Sequence, residues 1–270
     1  MIEAFDLPYM QRALAELALL SVPAGLLGAW IVLRRLAFYT HAVGTATFPG
    51  LVVAGPWGVP PQLAALGVSL GMAAGLERLV RGRRVAPDAA TGLLLVGALG
   101  VGIVLASDVY ESGAGVDRLL FGTVLGVTDA DLLLTAGAAS LAALAALACH
   151  RTWVASAFDP ASARSLGVPS RRADWALLGF VALTVVVAVD AVGALLVGAL
   201  LVLPAATVAL VAARVPWLLA GSVALTLAES VSGLWLAHAL DVPPGPAIAL
   251  LAGTLFALVA VAGSLRSRRA

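Results

Sequence analysis

Apolar residues in this chain run in stretches of about twenty, separated by short joints rich in Gly, Pro, Arg or Asp, and this pattern predicts its elements. The stretches lie at 12–33, 36–56, 60–80, 88–107, 131–149, 174–190, 191–213, 216–238 and 246–264. Each has roughly the 20 residues that a helix needs to cross a hydrocarbon core of about 30 Å. The pattern therefore predicts an all-α polytopic membrane protein of about nine transmembrane helices. The sixth and seventh stretches are contiguous, so eight to nine is the range. No joint is long enough for a second domain, and residues 1–270 read as one transmembrane domain.

The polar positions orient this array. If the first span ends inside and the spans alternate, fourteen of the sixteen Arg residues fall on the cytoplasmic side, and only Arg12 and Arg118 fall outside. That asymmetry is what the positive-inside rule requires, and it predicts the N-terminus outside and the C-terminus inside. Trp30, Trp153, Trp175 and Trp217 stand near inner boundaries and Trp57 and Trp235 near outer ones, the positions of an interfacial aromatic belt. Gly67, Gly71 and Gly75 repeat at four-residue spacing and predict a smooth helix face for close packing. Pro204 is expected to interrupt the seventh span.

Two joints are longer than a turn. Residues 108–131 are half apolar, with Leu119, Leu120, Phe121, Val124 and Leu125, and read as a re-entrant or interfacial segment at the outer face. Residues 151–173 form the largest cytoplasmic loop. Within it Asp159 is a good N-cap, Pro160 suits the first helical position and Gly167 can end a helix, so a short capped helix over Asp159–Leu166 is expected. A capped helix offered to the cytoplasm reads as a docking element.

Composition sharpens the picture. The chain is 61% hydrophobic and 11% charged, with a mean hydropathy of +1.04, whereas soluble domains are about a quarter charged. A net charge of +1 gives no reason to expect nucleic acid. Met1 to Pro8 carry Glu3 and Asp6 where a secretory signal would be basic, so the first apolar run is expected to remain as a span. The single cysteine, Cys149, excludes an intrachain disulfide and a cysteine metal cluster. There is no Lys, which excludes a Gly-rich phosphate loop ending in Lys-Ser/Thr. No paired His-x-x-x-His motif is present either, which disfavours a membrane-embedded metalloenzyme.

Four blocks resemble a known family. Phe158-Asp159-Pro160-Ala161-Ser162-Ala163-Arg164-Ser165-Leu166-Gly167-Val168-Pro169 resembles the cytoplasmic coupling loop of the ABC-3 permeases, the zinc, manganese and iron importers. Residues 33–38 followed by Pro49-Gly50 are similar to that family's first cytoplasmic turn and second span. Residues 192–207 resemble its most characteristic helix, and Leu240-Asp241-Val242-Pro243-Pro244-Gly245-Pro246-Ala247-Ile248 its last outer turn.

The resemblance implies a type II importer-like permease fold in the cytoplasmic membrane of a prokaryote. It implies a subunit that is not an enzyme, with no covalently bound cofactor, carrying a divalent transition metal ion by alternating access. Its implied partners are a separate ATPase that uses ATP, an external solute-binding protein and a second permease chain, identical or homologous. The ATPase would dock on Asp159, Pro160, Ala163, Arg164, Leu166 and Gly167. Alternatives are an importer of another small ligand such as a metal chelate, or a secondary transporter, which burial of the 159–167 segment would favour.

Ionisable groups within spans cost about 2.5–3.5 kcal/mol each on insertion scales and are functional candidates by default. Here they are Glu16, His41, Asp190 and Glu229, with His238 near an outer end. Imidazole and carboxylate suit first-row divalent metals. His41 and Thr45 share a helical face, with Thr40 and Thr47 beside them. The family usually carries Asp followed four residues later by His in this span, where this chain has His41 and Thr45. A carboxylate is thus lost from the expected path, and Glu16, Asp190 or Glu229 would have to supply its charge.

Overall fold

The computed structural model describes residues 7–81, 85–109, 122, 124–165, 167–168 and 170–267. It contains ten described α-helices: α1 (Pro8–Leu33), α2 (Ala37–Ala46), α3 (Phe48–Trp57), α4 (Pro61–Arg81), α5 (Pro87–Val104), α6 (Asp129–Phe158), α7 (Pro160–Ser165), α8 (Ser170–Ala209), α9 (Val215–Leu240) and α10 (Pro244–Ser267). Pro8, Pro61, Pro87, Pro160 and Pro244 each take the first helical position, where a missing N–H costs nothing. α5 continues into a π-helical turn, Leu105–Val109. α6 starts on a capping box, the Thr128 hydroxyl accepting from the Asp131 N–H while the Asp131 carboxylate accepts from the Thr128 N–H.

Seven described helices are long and apolar enough to cross a bilayer. The two remaining expected spans differ from the reading above. The 36–56 stretch is two helices, α2 and α3, parted at Thr47. The cause is Pro49, which cannot donate to residue 45 and crowds its carbonyl; the Thr45 carbonyl takes the Thr47 N–H instead, and the Thr47 hydroxyl donates to the Gly44 carbonyl at 2.7 Å.

The sixth and seventh stretches are the two legs of α8, whose backbone leaves helical geometry at Gly193 (φ 79°, ψ 155°). Contacts show that the chain reverses there. α9 runs antiparallel to α1, because Gly25 meets Val223 while Tyr9 and Met10 lie beside Leu234 to Asp241. The first leg of α8 starts beside Arg34, and the second ends with Val208 against Gly221. Both ends of α8 therefore lie at the Arg34 end of α1, and Gly193 turns near the other. The second leg, Leu196–Ala209, spans only about 21 Å at 1.5 Å per residue. Pro204 lies buried inside it without a break; the interruption expected at that residue occurs at Gly193, where φ is one that only glycine adopts cheaply.

α1 is the axis of the fold, packed on α6, both legs of α8, and α9. Two thirds of its apolar window is buried, against 17% for α5 and 11% for α10. The outer faces of those peripheral helices carry Leu93, Val96, Ile103, Leu250 and Leu258, all exposed, as contact with lipid requires. α1 sits this deep because it has glycine at two crossings. A Cβ on Gly25 would lie 2.4 Å from the Val223 backbone, and one on Gly28 would lie 2.3 Å from the Leu201 carbonyl oxygen. In lipid, where apolar burial gives no advantage, such close approach is what joins helices.

Three further expectations change. α6 continues to Phe158 rather than stopping at 149, so residues 151–158 are helix, not loop. Trp30 and Trp153 are wholly buried and pack edge to face, with centroids 5.5 Å apart, so they belong to the core and not to a belt; Trp57 and Trp217 are exposed. Gly67 and Gly71 face open space in the single chain, and of the expected glycine stripe Gly75 meets a neighbour, Leu94. Most of the 108–131 segment lies outside the described residues. Its Val124 and Val127 are buried in the core, and Gly122 sits backbone to backbone against Val192 and Gly193.

Candidate functional site

The short helix α7 forms where the capping residues place it. The Asp159 carboxylate accepts the Ser162 N–H at 2.9 Å and the Asp159 carbonyl accepts the Ala163 N–H. At the other end Gly167 (φ 73°) turns the chain so that the Val168 N–H reaches the Ala163 carbonyl at 2.9 Å. Ala163 is buried, and Asp159, Ser162, Ser165 and Gly167 are exposed. The segment is therefore presented outward, the opposite of the burial that would have favoured a secondary transporter. Leu166 and the side chains of Pro160 and Arg164 lie outside the description.

Around α7 the helix ends are tied together by groups that hydropathy alone does not reveal. Arg34, the C-cap of α1, donates through one guanidinium nitrogen to the Asp174 carboxylate on α8 and through the other to the Ser156 hydroxyl on α6. Ser156 keeps the network consistent by donating its own proton to the Thr152 carbonyl at 2.6 Å. One helical turn before Ser156, the Trp153 indole N–H donates to the Ala173 carbonyl at 2.9 Å. Trp30, one turn before Arg34, meets both Trp153 and His150 edge to face. In the sequence Arg34 registers as a topology signal and as part of the 33–38 turn that resembles the family, and neither reading points to these partners.

The ionisable candidates within the spans do not converge. His41 is exposed on α2, and its Nδ1 lies 3.3 Å from where a Cβ on Gly198 would stand, so the imidazole lies against the second leg of α8 at a glycine. The threonines around it give their protons to the backbone: Thr40, Thr45 and Thr47 donate to the carbonyls of Leu36, His41 and Gly44, which leaves each oxygen as an acceptor only. Glu16 is fully buried between α1 and α6 and accepts the Thr135 hydroxyl at 2.6 Å. Above it Arg12 pairs with Asp129 at 3.1 Å. Glu229 is 2% exposed on the buried stripe of α9 that also carries Ser222, Thr226 and Ser230. Neither Glu229 oxygen has a partner among the described residues.

Asp190 stands in the last turn before the Gly193 reversal, and its side chain is outside the description. His238 is exposed at the far end of α9, lining a cavity of about 140 Å³ with Tyr9, Leu234, Asp241 and Pro244. Among the described residues no three His, Cys, Asp or Glu side chains are grouped to hold a metal ion. Within one chain, then, an open imidazole on α2 is separate from two carboxylic groups shut inside the helix packing.

Comparison with known proteins agrees with this architecture over almost the whole chain. The ABC 3 transport family profile matches residues 6–263. A manganese transport system membrane protein of Halalkalibacterium halodurans is 32% identical over 250 residues, covering 93% of this chain and 86% of that protein. A chelated iron transport system membrane protein of Yersinia pestis is 27% identical over 259 residues, 96% of this chain and 87% of the relative. Among solved structures, PsaBC from Streptococcus pneumoniae in complex with Fab superposes with a TM-score of 0.85 at 26% identity, covering 96% of this chain and 93% of that one.

Proposed function

We propose a function from one premise: this chain belongs to the ABC 3 transport family, as the match across residues 6–263 shows. It is a multi-pass membrane subunit of an ABC transport system. Our reading is that it is the permease of an importer that carries a divalent transition metal ion of the manganese, iron or zinc class. It carries no phosphate-loop ATPase of its own, since a chain without Lys cannot form a phosphate loop ending in Lys-Ser/Thr. ATP is hydrolysed by a separate subunit docked on α7, and an external solute-binding protein delivers the cargo. A second permease chain completes the path. On this reading the Arg34 end of α1 faces the cytoplasm, where Arg residues concentrate.

Relatives named for manganese and for chelated iron transport support a metal cargo. His41 is the residue we assign to the path, because it is the exposed ionisable group within a span and stands on the helix where the family carries its ligands. Its imidazole suits a borderline divalent ion. Glu16, Asp190 and Glu229 remain candidates for the missing charge, to be brought in by a second chain or by a different access state.

One observation favours a second reading. With His41 in place of the family's Asp and Thr45 in place of its His, and with no three-ligand group among the described residues, the path suits a cargo that brings its own ligands, a metal chelate. Element-resolved uptake, in cells with and without the protein, separates the two. Free-ion import predicts uptake of manganese, iron or zinc from chelator-free medium that falls at least several-fold in His41→Ala; uptake seen only with a chelator present selects the second reading. Unchanged metal content in both media would overturn metal import altogether.

A further inference from the structure

We propose that Arg34 is the positioning residue that passes motion from the docked ATPase to the cargo path, by tying both supports of α7 to the base of α2. This rests on the permease reading above and goes beyond it by naming the connection.

The geometry runs in one line. α7 is six residues long and joined to α6 by Asp159 and to α8 by residues 166–169, so any load on it enters through the end of α6 and the start of α8. Two crossings hold those ends to each other and to α1. Trp153 donates to Ala173, joining α6 to α8. Arg34 then reaches Ser156 on α6 and Asp174 on α8 at once.

Beyond Arg34 the chain has little slack. Arg35 takes a left-handed conformation (φ 57°), the Leu36 N–H closes on the Ile31 carbonyl at 2.8 Å, and α2 starts at Ala37. His41 follows about one turn later, against Gly198 of the second leg of α8. The Arg34 side chain is largely buried, at 14% exposure, while Asp174 is exposed to 45%, so solvent screens the ion pair in part and the hold on α6 and α8 rests on the two guanidinium hydrogen bonds together. A planar guanidinium can serve two acceptors from two helices in fixed geometry; an ammonium serves as a point charge. The edge-to-face ring contacts near this end join α1 to α6, whereas Arg34 reaches α6 and α8 together.

The test uses the full complex of permease, ATPase and binding protein in proteoliposomes, with manganese(II) as the cargo probe, and reads manganese moved per ATP hydrolysed. Arg34→Ala should assemble and hydrolyse ATP, yet move about tenfold less manganese per ATP, in the range of ordinary coupling energies. Arg34→Lys should recover part of the loss. The exchange Arg34→Asp with Asp174→Arg should recover more than either change alone.

A second readout keeps a structural defect distinct. Spin labels at Phe38→Cys on α2 and Phe158→Cys on α6, in a Cys149→Ser background, should change their separation on ATP addition in the parent and not in Arg34→Ala. If Arg34→Ala fails to insert, Asp174→Asn removes the ion pair without touching α1 and is read the same way. A wild-type ratio of manganese to ATP with an ATP-dependent label separation in these variants overturns the proposal. A parent complex that hydrolyses ATP but moves no manganese would fault the cargo assignment instead, and the label pair, which needs no cargo, then decides the role of Arg34.

Discussion

Replacing Gly25 with alanine tests whether close backbone packing around α1 holds this fold together. The added Cβ would stand 2.4 Å from both the Cα and the N of Val223 and 2.7 Å from its Cγ2. Carbon atoms in contact sit about 3.5–4.0 Å apart, so α1 and α9 must part by more than 1 Å, and the atom in the way is backbone that cannot swing aside. Gly28→Ala poses the same problem against α8, at 2.3 Å from the Leu201 oxygen and 3.2 Å from the Ala205 Cβ. Overpacking of this kind costs about 1–3 kcal/mol, roughly a 5- to 150-fold shift toward the unfolded state. Gly67→Ala and Gly71→Ala are the internal control, since a Cβ there meets nothing within 4 Å, and alanine in a helix gains up to about 1 kcal/mol over glycine. Unfolding in a mild detergent titrated with a denaturing one would read all four. The expected order is Gly67→Ala and Gly71→Ala at or above the parent, Gly25→Ala and Gly28→Ala well below it. If Gly25→Ala proved as stable as Gly67→Ala, the account of α1 as a glycine-packed axis would be wrong.

Three further outcomes follow from other parts of the structure. Gly193→Ala forces a side chain into a φ of 79° at the α8 reversal and should cost about 1–3 kcal/mol in the same detergent titration, with loss of cargo uptake in cells. Asp159→Ala removes the cap of α7, worth about 1 kcal/mol, and should weaken copurification of the ATPase while leaving the membrane-embedded helices as stable as before. Thr45→Val removes a hydroxyl that donates to the His41 carbonyl, a bond worth about 1 kcal/mol at most; if that is its whole role, uptake should stay within about twofold of the parent, and a severe loss would show that the lone pairs left on its oxygen serve the path.

Most of the helices were legible because the bilayer imposes one rule on every span, a minimum apolar length, and because proline and glycine mark the joints. The α7 helix was legible from Asp159, Pro160 and Gly167, whose capping chemistry is local. What escaped the reading depends on contacts across the chain. Hydropathy reports where α6 leaves apolar surroundings, near Cys149, and not where it stops hydrogen-bonding, at Phe158. Trp30 and Trp153 sit at span ends as belt residues do, and only the meeting of α1 with α6 shows them buried. Arg34 stood in the sequence as one of sixteen positive charges and as part of a turn resembling the family's; its two partners lie 122 and 140 residues away, where neither signal reaches.

The ionisable groups also rank differently once their surroundings are known. A cost of about 2.5–3.5 kcal/mol makes any ionisable residue in a span a candidate, and on that ground Glu16, His41 and Glu229 are equals. Carrying a solute adds a second condition, that the group exchange ligands with a path open on at least one side. Glu16 is sealed between α1 and α6 with Thr135 as its donor, and Glu229 is sealed on the inner stripe of α9; no cargo reaches either unless helices separate. His41 meets the condition as it stands, exposed on α2 and close to Gly198 of α8. On the permease reading proposed above, a second permease chain would cover His41. A cargo contact at Glu16 or Glu229 would instead require α1 to part from α6, or α9 from its neighbours. α1 is the helix that Arg34 ties to both supports of α7, so any parting of α1 from α6 would load that contact at the Arg34 end.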